Sequence, residues 1–110
     1  MGKTITLTTK DGQKYILEYT RKTVKEMEAD GFNLEDLSNK PMLTLPRLFE
    51  GAFLAHHRYT KRETVESIFK GIGNREELFT TLVEMYRTPI NALWEEPEES
   101  EKNVGWEVSE

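Results

Sequence analysis

The chain has 110 residues, no cysteine and a formal net charge of −5 at pH 7. This length is that of one ordinary domain, and the lack of cysteine excludes disulfides, cysteine nucleophiles and thiolate metal sites. Residues 1–94 are nearly neutral, with 14 Lys and Arg against 13 Asp and Glu, and residues 95–110 carry seven Glu and one Lys, so the clustered basic face typical of nucleic-acid binding is missing.

Two alternating segments, residues 4–9 and residues 14–19, predict an N-terminal β-hairpin. Between them lie Asp11 and Gly12, and such a pair between two alternating runs indicates a tight turn, which needs a positive φ angle. The apolar residues expected on the inner face of this hairpin are Ile5, Leu7, Tyr15, Leu17 and Tyr19.

The first helix is predicted directly after the hairpin. Thr20 is a suitable N-cap, Gly31 is a suitable C′ residue, and Phe32 can make the hydrophobic contact that accompanies such an end. Residues 33–37 predict a single turn, and residues 38–41 read as a loop.

The next helix is predicted over residues 45–57, where apolar side chains recur at helical spacing. Thr44 would cap it, and Pro46 would be tolerated in its first turn. The residues of its apolar face are Leu45, Leu48, Phe49, Ala52, Phe53 and, at the end, His56.

Two further helices follow, each opened by an N-terminal signature. Residues 60–63 form a capping box and residues 74–77 a second signature of the same kind, with Gly71 or Gly73 ending the first helix. Pro89 is expected to break or kink the second helix. The residues predicted to face inward are Val65, Ile68, Phe69, Ile72, Leu78, Leu82, Met85 and Tyr86.

The C-terminal end reads as a tail. Residues 95–101 contain five Glu, one Pro and one Ser, and such a segment cannot order itself. Residues 104–108 alternate again, which predicts a strand or a docking segment. The fold class is therefore α+β: one domain over residues 1–94, with the hairpin packed on about four helices, followed by an acidic tail over residues 95–110.

No catalytic, cofactor or metal site is predicted. His56 and His57 point about 100° apart on a helix and cannot share a metal ion. The Glu side chains fall at caps and solvent faces, and the glycines around Ile72 lack the rest of a phosphate loop. No apolar run approaches the length that spans a bilayer, so no membrane contact is expected. A basic loop with Arg58, Lys61 and Arg62 would give only weak binding of nucleic acid.

Aromatic residues are the candidates for partner binding. Most of them fall on core stripes, Phe79 departs from the stripe of its helix, and two tryptophans lie beside or within the charged tail, where they could anchor a partner or dock on the body. The partner-binding candidates are Tyr15, Tyr19, Phe49, Phe53, Phe79, Trp94 and Trp106.

Four segments carry a resemblance. A hairpin leads into residues 19–28 (YTRKTVKEME), then Gly31-Phe32, residues 48–53 (LFEGAF) and a helix pair ending at residues 82–86 (LVEMY). Over residues 4–94 this order resembles the small tail assembly chaperones of long-tailed phages and prophages of Gram-positive hosts.

The resemblance implies a non-enzymatic protein of the bacterial host cytoplasm that binds the tape measure protein, and encounters the tail tube protein, while the tail is built. Self-association is also expected, because free hairpin edges pair readily. The alternative is a small regulatory or nucleic-acid-associated adaptor of a mobile element.

Overall fold

The computed structural model describes residues 3–109 and confirms an α+β fold, in which a two-stranded antiparallel hairpin precedes the helices. No helix within this range is long and apolar enough to cross a bilayer. The elements within this range are β1 (Ile5–Thr8), β2 (Lys14–Leu17), α1 (Arg21–Ala29), α2 (Asp36–Asn39), α3 (Pro41–Gly51), α4 (Arg62–Gly71), α5 (Arg75–Ala92) and a 3-10 turn (Glu99–Glu101).

The predicted hairpin is confirmed, with shorter strands than the sequence pattern suggested. Ile5 pairs with Leu17 at its open end. The N–H of Thr9 donates to the carbonyl of Gln13 at 2.8 Å, and the N–H of Gly12 donates back to Thr9 at 3.0 Å. Gly12 has a φ of +88°, so this is a three-residue turn with glycine at its left-handed position.

Both predicted ends of α1 are confirmed. The hydroxyl of Thr20 accepts from the N–H of Thr23, and the Thr23 hydroxyl accepts from the N–H of Thr20, which closes a capping box. At the other end, Gly31 has a φ of +91°, and the N–H of Phe32 donates to the carbonyl of Met27 at 3.0 Å. This is a Schellman motif, and it turns the buried Phe32 into the core.

The predicted boundaries of α3 are wrong. The expected loop over residues 38–41 is reduced to Lys40 alone, and the helix begins at Pro41 and ends at Gly51 rather than covering residues 45–57. Proline at the first helical position needs no N–H partner and already has a helical φ. Thr44 is therefore a buried helical residue rather than a cap.

The predicted capping box of α4 does not form. The N–H of Thr60 donates to the carbonyl of His57 at 3.0 Å, which keeps this part of the chain in a turn. The helix then begins at Arg62, with Lys61 as its N-cap and no capping side chain. The box is one residue out of register with the helix that it should open. The predicted inward residues of α4 do pack against the core.

Helix α5 continues through Pro89 to Ala92, so the helix does not break there. Pro89 deprives only the carbonyl of Met85 of its helical partner. Ile90, in the same turn, packs against the core, and its burial offsets part of the cost of the proline. Asn74 is the N-cap, but its φ is +51° and its side-chain amide donates to the carboxylate of Glu77 rather than accepting from the backbone.

One core joins the inner face of the hairpin to α1, α3, α4 and α5. Its polar centre is the hydroxyl of Tyr19, which donates to the carbonyl of Leu48 at 2.5 Å. That carbonyl is available because the N–H of Ala52 bonds instead to Phe49 as α3 ends. The buried apolar residues are Leu17, Tyr19, Val24, Met27, Phe32, Leu48, Phe49, Ala52, Phe53, Val65, Leu82, Met85 and Tyr86.

The close approach of α1 to α3 depends on a glycine. A Cβ atom on Gly51 would overlap Cε and Sδ of the buried Met27. We expect Gly51→Ala to lower the free energy of unfolding by about 1–3 kcal/mol, because the packed side chain must move. Denaturation in urea measures this. Gly71→Ala is the matched control, since no atom lies within 4 Å of the position that its Cβ would take, and equal effects of the two substitutions would contradict the packing argument.

Two core tyrosines predict a loss of stability in alkali. Burial, together with the charge of Glu28, raises the pKa of Tyr86 to about 12, and burial also raises the pKa of Tyr19. In the unfolded chain both phenols ionise near pH 10, so the free energy of unfolding should fall as the pH rises from about 10 to 12. Urea denaturation across this range tests it. The free energy of unfolding of Tyr86→Phe should fall less steeply with pH. A slope equal to that of the unaltered chain would show that Tyr86 does not cause the loss.

Candidate interaction surface

An open groove lies between the hairpin and α4 and has a volume of about 820 Å³. Its apolar walls are Leu7 and Tyr15 on one side and Ile68 and Ile72 on the other, all half-buried. We name it the hairpin–α4 groove. The polar side chains at its rim are those of Lys10, Asp11, Gln13, Glu63, Thr64 and Ser67.

The hairpin wall of this groove is held by the chain that follows α3. The N–H of Ile16 donates to Nε2 of His57 at 2.9 Å, and the N–H of Glu18 donates to the carbonyl of Ala52 at 3.0 Å. The Glu18 carboxylate also lies 2.6 Å from Nε2 of His56. The two histidines, predicted as the end of a helix, therefore lie beyond α3, where His57 bonds to the outer edge of β2 and His56 contacts the residue after that strand.

The outer edge of β1 is open. Because Thr9 and Gln13 share a hydrogen bond and bonded pairs alternate along an antiparallel ladder, the backbone groups of Thr6 and Thr8 point away from β2. Both side chains are exposed. Within the part of the chain that the structure describes, no hydrogen bond satisfies these outward N–H groups.

Three of the predicted partner-binding aromatics belong to the core. Tyr19, Phe49 and Phe53 are each at most 3% exposed, and a partner cannot reach them in this conformation. Tyr15 does line the groove. Its ring centroid lies 5.7 Å from that of Phe53 and 5.1 Å from that of His57, so the groove wall is anchored directly to the core.

Phe79 is half-buried rather than outside the inward face of α5. Its ring centroid lies 6.4 Å from that of Phe49 and 5.9 Å from that of Phe69. The prediction that Phe79 departs from the core stripe is wrong, because α5 packs against α4 as well as α3 and buries a wider face. Trp94 and Trp106 are each 86% exposed.

Two arginines of the basic loop after α3 lie beside carboxylates. Two nitrogens of Arg58 donate to the two carboxylate oxygens of Glu26 at 2.7 and 2.8 Å, and this guanidinium lowers the pKa of Glu26. Nε of Arg62 lies 3.8 Å from the carboxylate of Glu50. Lys61 and the 79% exposed Arg62 remain open to solvent, and two such charges would bind a phosphate backbone only weakly.

The acidic groups of the surface do not converge. Residues 3–109 contain no group of three His, Cys, Asp or Glu placed to hold a metal ion. At the groove rim, a hydrogen bond from the Thr9 hydroxyl lowers the pKa of Asp11, so this carboxyl stays ionised. The groove is thus an apolar trough with charges of both signs at its rim.

Sequence reasoning missed the aliphatic walls of the groove. Leu7, Ile68 and Ile72 were predicted as inward-facing residues and not as contacts for a partner. They are inward-facing, but the hairpin and α4 stand apart above the core and leave them half-buried. The spacing of apolar residues shows which face turns inward and not whether that face is completely covered.

The hairpin should depend on His57. We expect His57→Ala to lower the free energy of unfolding by about 1–3 kcal/mol, because the N–H of Ile16 loses its acceptor and Tyr15 loses a packed ring. His56→Ala is the matched control; its partly exposed pair with Glu18 should contribute less than about 1 kcal/mol. Hydrogen exchange at the Ile16 amide reports the effect directly, and full protection in His57→Ala would contradict it.

Comparison with known proteins gives one family. No curated protein and no solved structure matches the chain. A family model covers residues 1–110, which is the whole sequence. The chain therefore belongs to the family described as a domain of unknown function, DUF5055.

Proposed function

We propose that this protein is a non-enzymatic tail assembly chaperone of a phage or prophage, and that it binds the tape measure protein during tail morphogenesis. The hairpin–α4 groove is the observation that carries the proposal. The resemblance over residues 4–94 indicates that the client is the tape measure protein. The site of action would be the cytoplasm of the bacterial host, where tail tube subunits assemble around the tape measure protein.

The groove is suited to an amphipathic helix. Ile68 on α4 and Ile72, the extended residue directly after it, form one wall, and Leu7 and Tyr15 of the hairpin form the other. An apolar stripe of a client helix can lie between these walls, with its contacts made by residues three or four positions apart. A tape measure protein, as a long helical chain, offers many such stripes.

The charges around the groove favour a protein client over nucleic acid. The rim carries Lys10, Asp11 and Glu63, which have both signs and match the mixed polar face of an amphipathic helix. In the basic loop, Arg58 and Arg62 lie beside carboxylates, so Lys61 is left, within the described residues, as its single unpaired charge for nucleic acid. The acidic tail, with a net charge of −6, would keep a complex with an apolar client in solution.

A chaperone must also release its client. The groove walls are already half-buried in the free protein, so a client would cover only the remaining apolar area. Such a small interface gives moderate affinity. Growth of the tail tube around the tape measure protein can then displace the chaperone, which would be missing from finished particles.

The test is an affinity pull-down from a lysate of the native host after prophage induction, analysed by mass spectrometry. We expect the tape measure protein to be captured by the unaltered chain and lost with Ile68→Glu, which places a charge in the groove. Leu43→Glu is the matched control, because Leu43 is 67% exposed on α3 and lies outside the groove. Circular dichroism checks that both variants fold.

Other results would redirect the assignment. Recovery of nucleic acid or a regulator without any tail protein would favour the adaptor of a mobile element. Equal capture by Ile68→Glu and Leu43→Glu would mean that the hairpin–α4 groove is not the client site. Finding the protein in purified virions would make it a structural component rather than a chaperone.

A further inference from the structure

The C-terminal segment has the pattern of a β-strand but no partner strand among the described residues. Val104, Trp106 and Val108 are 85%, 86% and 78% exposed, and they alternate with Gly105 and Glu107. In an extended chain, alternate residues share one face. The segment therefore presents three apolar side chains in a row on one side and a charge on the other.

We propose that residues 104–108 of a second copy add as a strand to the outer edge of β1 and place Trp106 in the hairpin–α4 groove. The exchange is mutual, since each copy carries one such segment and one such edge. A mutual exchange closes as a two-fold dimer.

The outer edge of β1 has main-chain groups that can pair with a further strand. The N–H and C=O groups of Thr6 and Thr8 point away from β2 and have no partner within the described chain. A strand that pairs there would convert a two-stranded sheet, which is marginal alone, into a three-stranded one. The other edge of the sheet is blocked at its centre, because the N–H of Ile16 already donates to His57 and the N–H of Glu18, directly after β2, donates to Ala52.

The faces of the sheet direct the tryptophan into the groove. Residues opposite each other on neighbouring strands point to the same face of the sheet. Every second side chain of a strand beside β1 would therefore lie on the inner face, next to Ile5 and Leu7. Trp106 would then lie next to Leu7, which is a wall residue of the groove. Glu107 would face solvent, where its charge stays hydrated.

The charges of the two partners are complementary. Residues 3–17 carry Lys3, Lys10 and Lys14 and a single acid, Asp11. Nζ of Lys3 lies 4.0 Å from the carboxylate of Glu84, so Lys10 and Lys14 are the cations that face the tail. The tail over residues 95–110 has a net charge of −6. Attraction between these segments steers the tail to the hairpin and weakens as salt is added.

The geometry of the tail favours a second copy. The tail projects from the body, so that the molecule extends 60 Å along one axis and 32 and 25 Å along the others. Nζ of Lys102 lies 3.7 Å from the carboxylate of Glu96 and 3.2 Å from that of Glu99, so the linker is folded on itself rather than back towards its own hairpin.

The dimer would occupy the groove that we assign to the client, so client binding and self-association should compete. In this respect the inference rests on the proposed function. The association itself does not require a client, and it is tested with the purified full chain alone. Failure of the dimer would therefore leave the chaperone proposal standing, and failure of the chaperone proposal would leave the dimer standing.

The experiment is sedimentation equilibrium of the full chain over a range of concentrations. We expect Trp106→Ala to weaken association about 30-fold or more, as for a buried aromatic anchor. Trp94→Ala is the matched control, because Trp94 is equally exposed but lies outside the proposed strand. It should leave the dissociation constant unchanged.

A second variant tests the edge. Thr6→Pro removes an outward N–H without touching the bonds between β1 and β2, and it should abolish association. Mixing the two variants should restore part of the association. Thr6→Pro still carries an intact segment 104–108, and Trp106→Ala still carries an intact β1 edge to receive it.

Three results would overturn the proposal. One is a full chain that stays monomeric up to about 1 mM, and another is association that Trp106→Ala leaves unchanged. The third is hydrogen-exchange protection of the Thr6 amide in a strictly monomeric sample, which would assign the segment to the edge of its own chain.

Discussion

The position of the hairpin depends on the hydrogen bonds that join the outer edge of β2 to the end of α3. The N–H groups of Ile16 and Glu18 donate to His57 and Ala52, and the hydroxyl of Tyr19 reaches the carbonyl of Leu48. Two strands alone cannot hold a fixed orientation in water. These bonds attach the strand to the helical body, and the side chains of the inner face then complete the core.

The same bonds make the two edges of the sheet unequal. β2 is closed by the protein itself, whereas β1 presents Thr6 and Thr8 to solvent. Natural proteins usually protect such an edge with charge or by covering it. Here lysines flank the edge at positions 3 and 10, which discourages pairing of β1 with another β1 but attracts an acidic segment. The hairpin–α4 groove lies beside this edge, so both features belong to one surface.

The sequence predicted best those features that depend on a few neighbouring residues. The caps at Thr20 and Gly31 and the turn at Gly12 are confirmed, because each is set by backbone conformation within about six positions. The predicted start of α3 was wrong and α5 does not break at Pro89, because packing decides both. The groove could not be predicted, since its walls come from distant parts of the chain and the hairpin wall is held by a bond from Ile16 to His57, 41 residues away. Of the aromatic candidates, only Tyr15 lines it.

The contact between Met27 and Gly51 also makes the fold sensitive to oxidation. Conversion of a thioether to its sulfoxide adds a polar oxygen to the sulfur. Met42 is 87% exposed and can accept that oxygen in water without disturbing its neighbours. Met27 is buried with its sulfur against the backbone of α3, where not even a methyl group fits. Oxidation there would separate α1 from α3, so a chemical change at one sulfur can undo the packing of two helices.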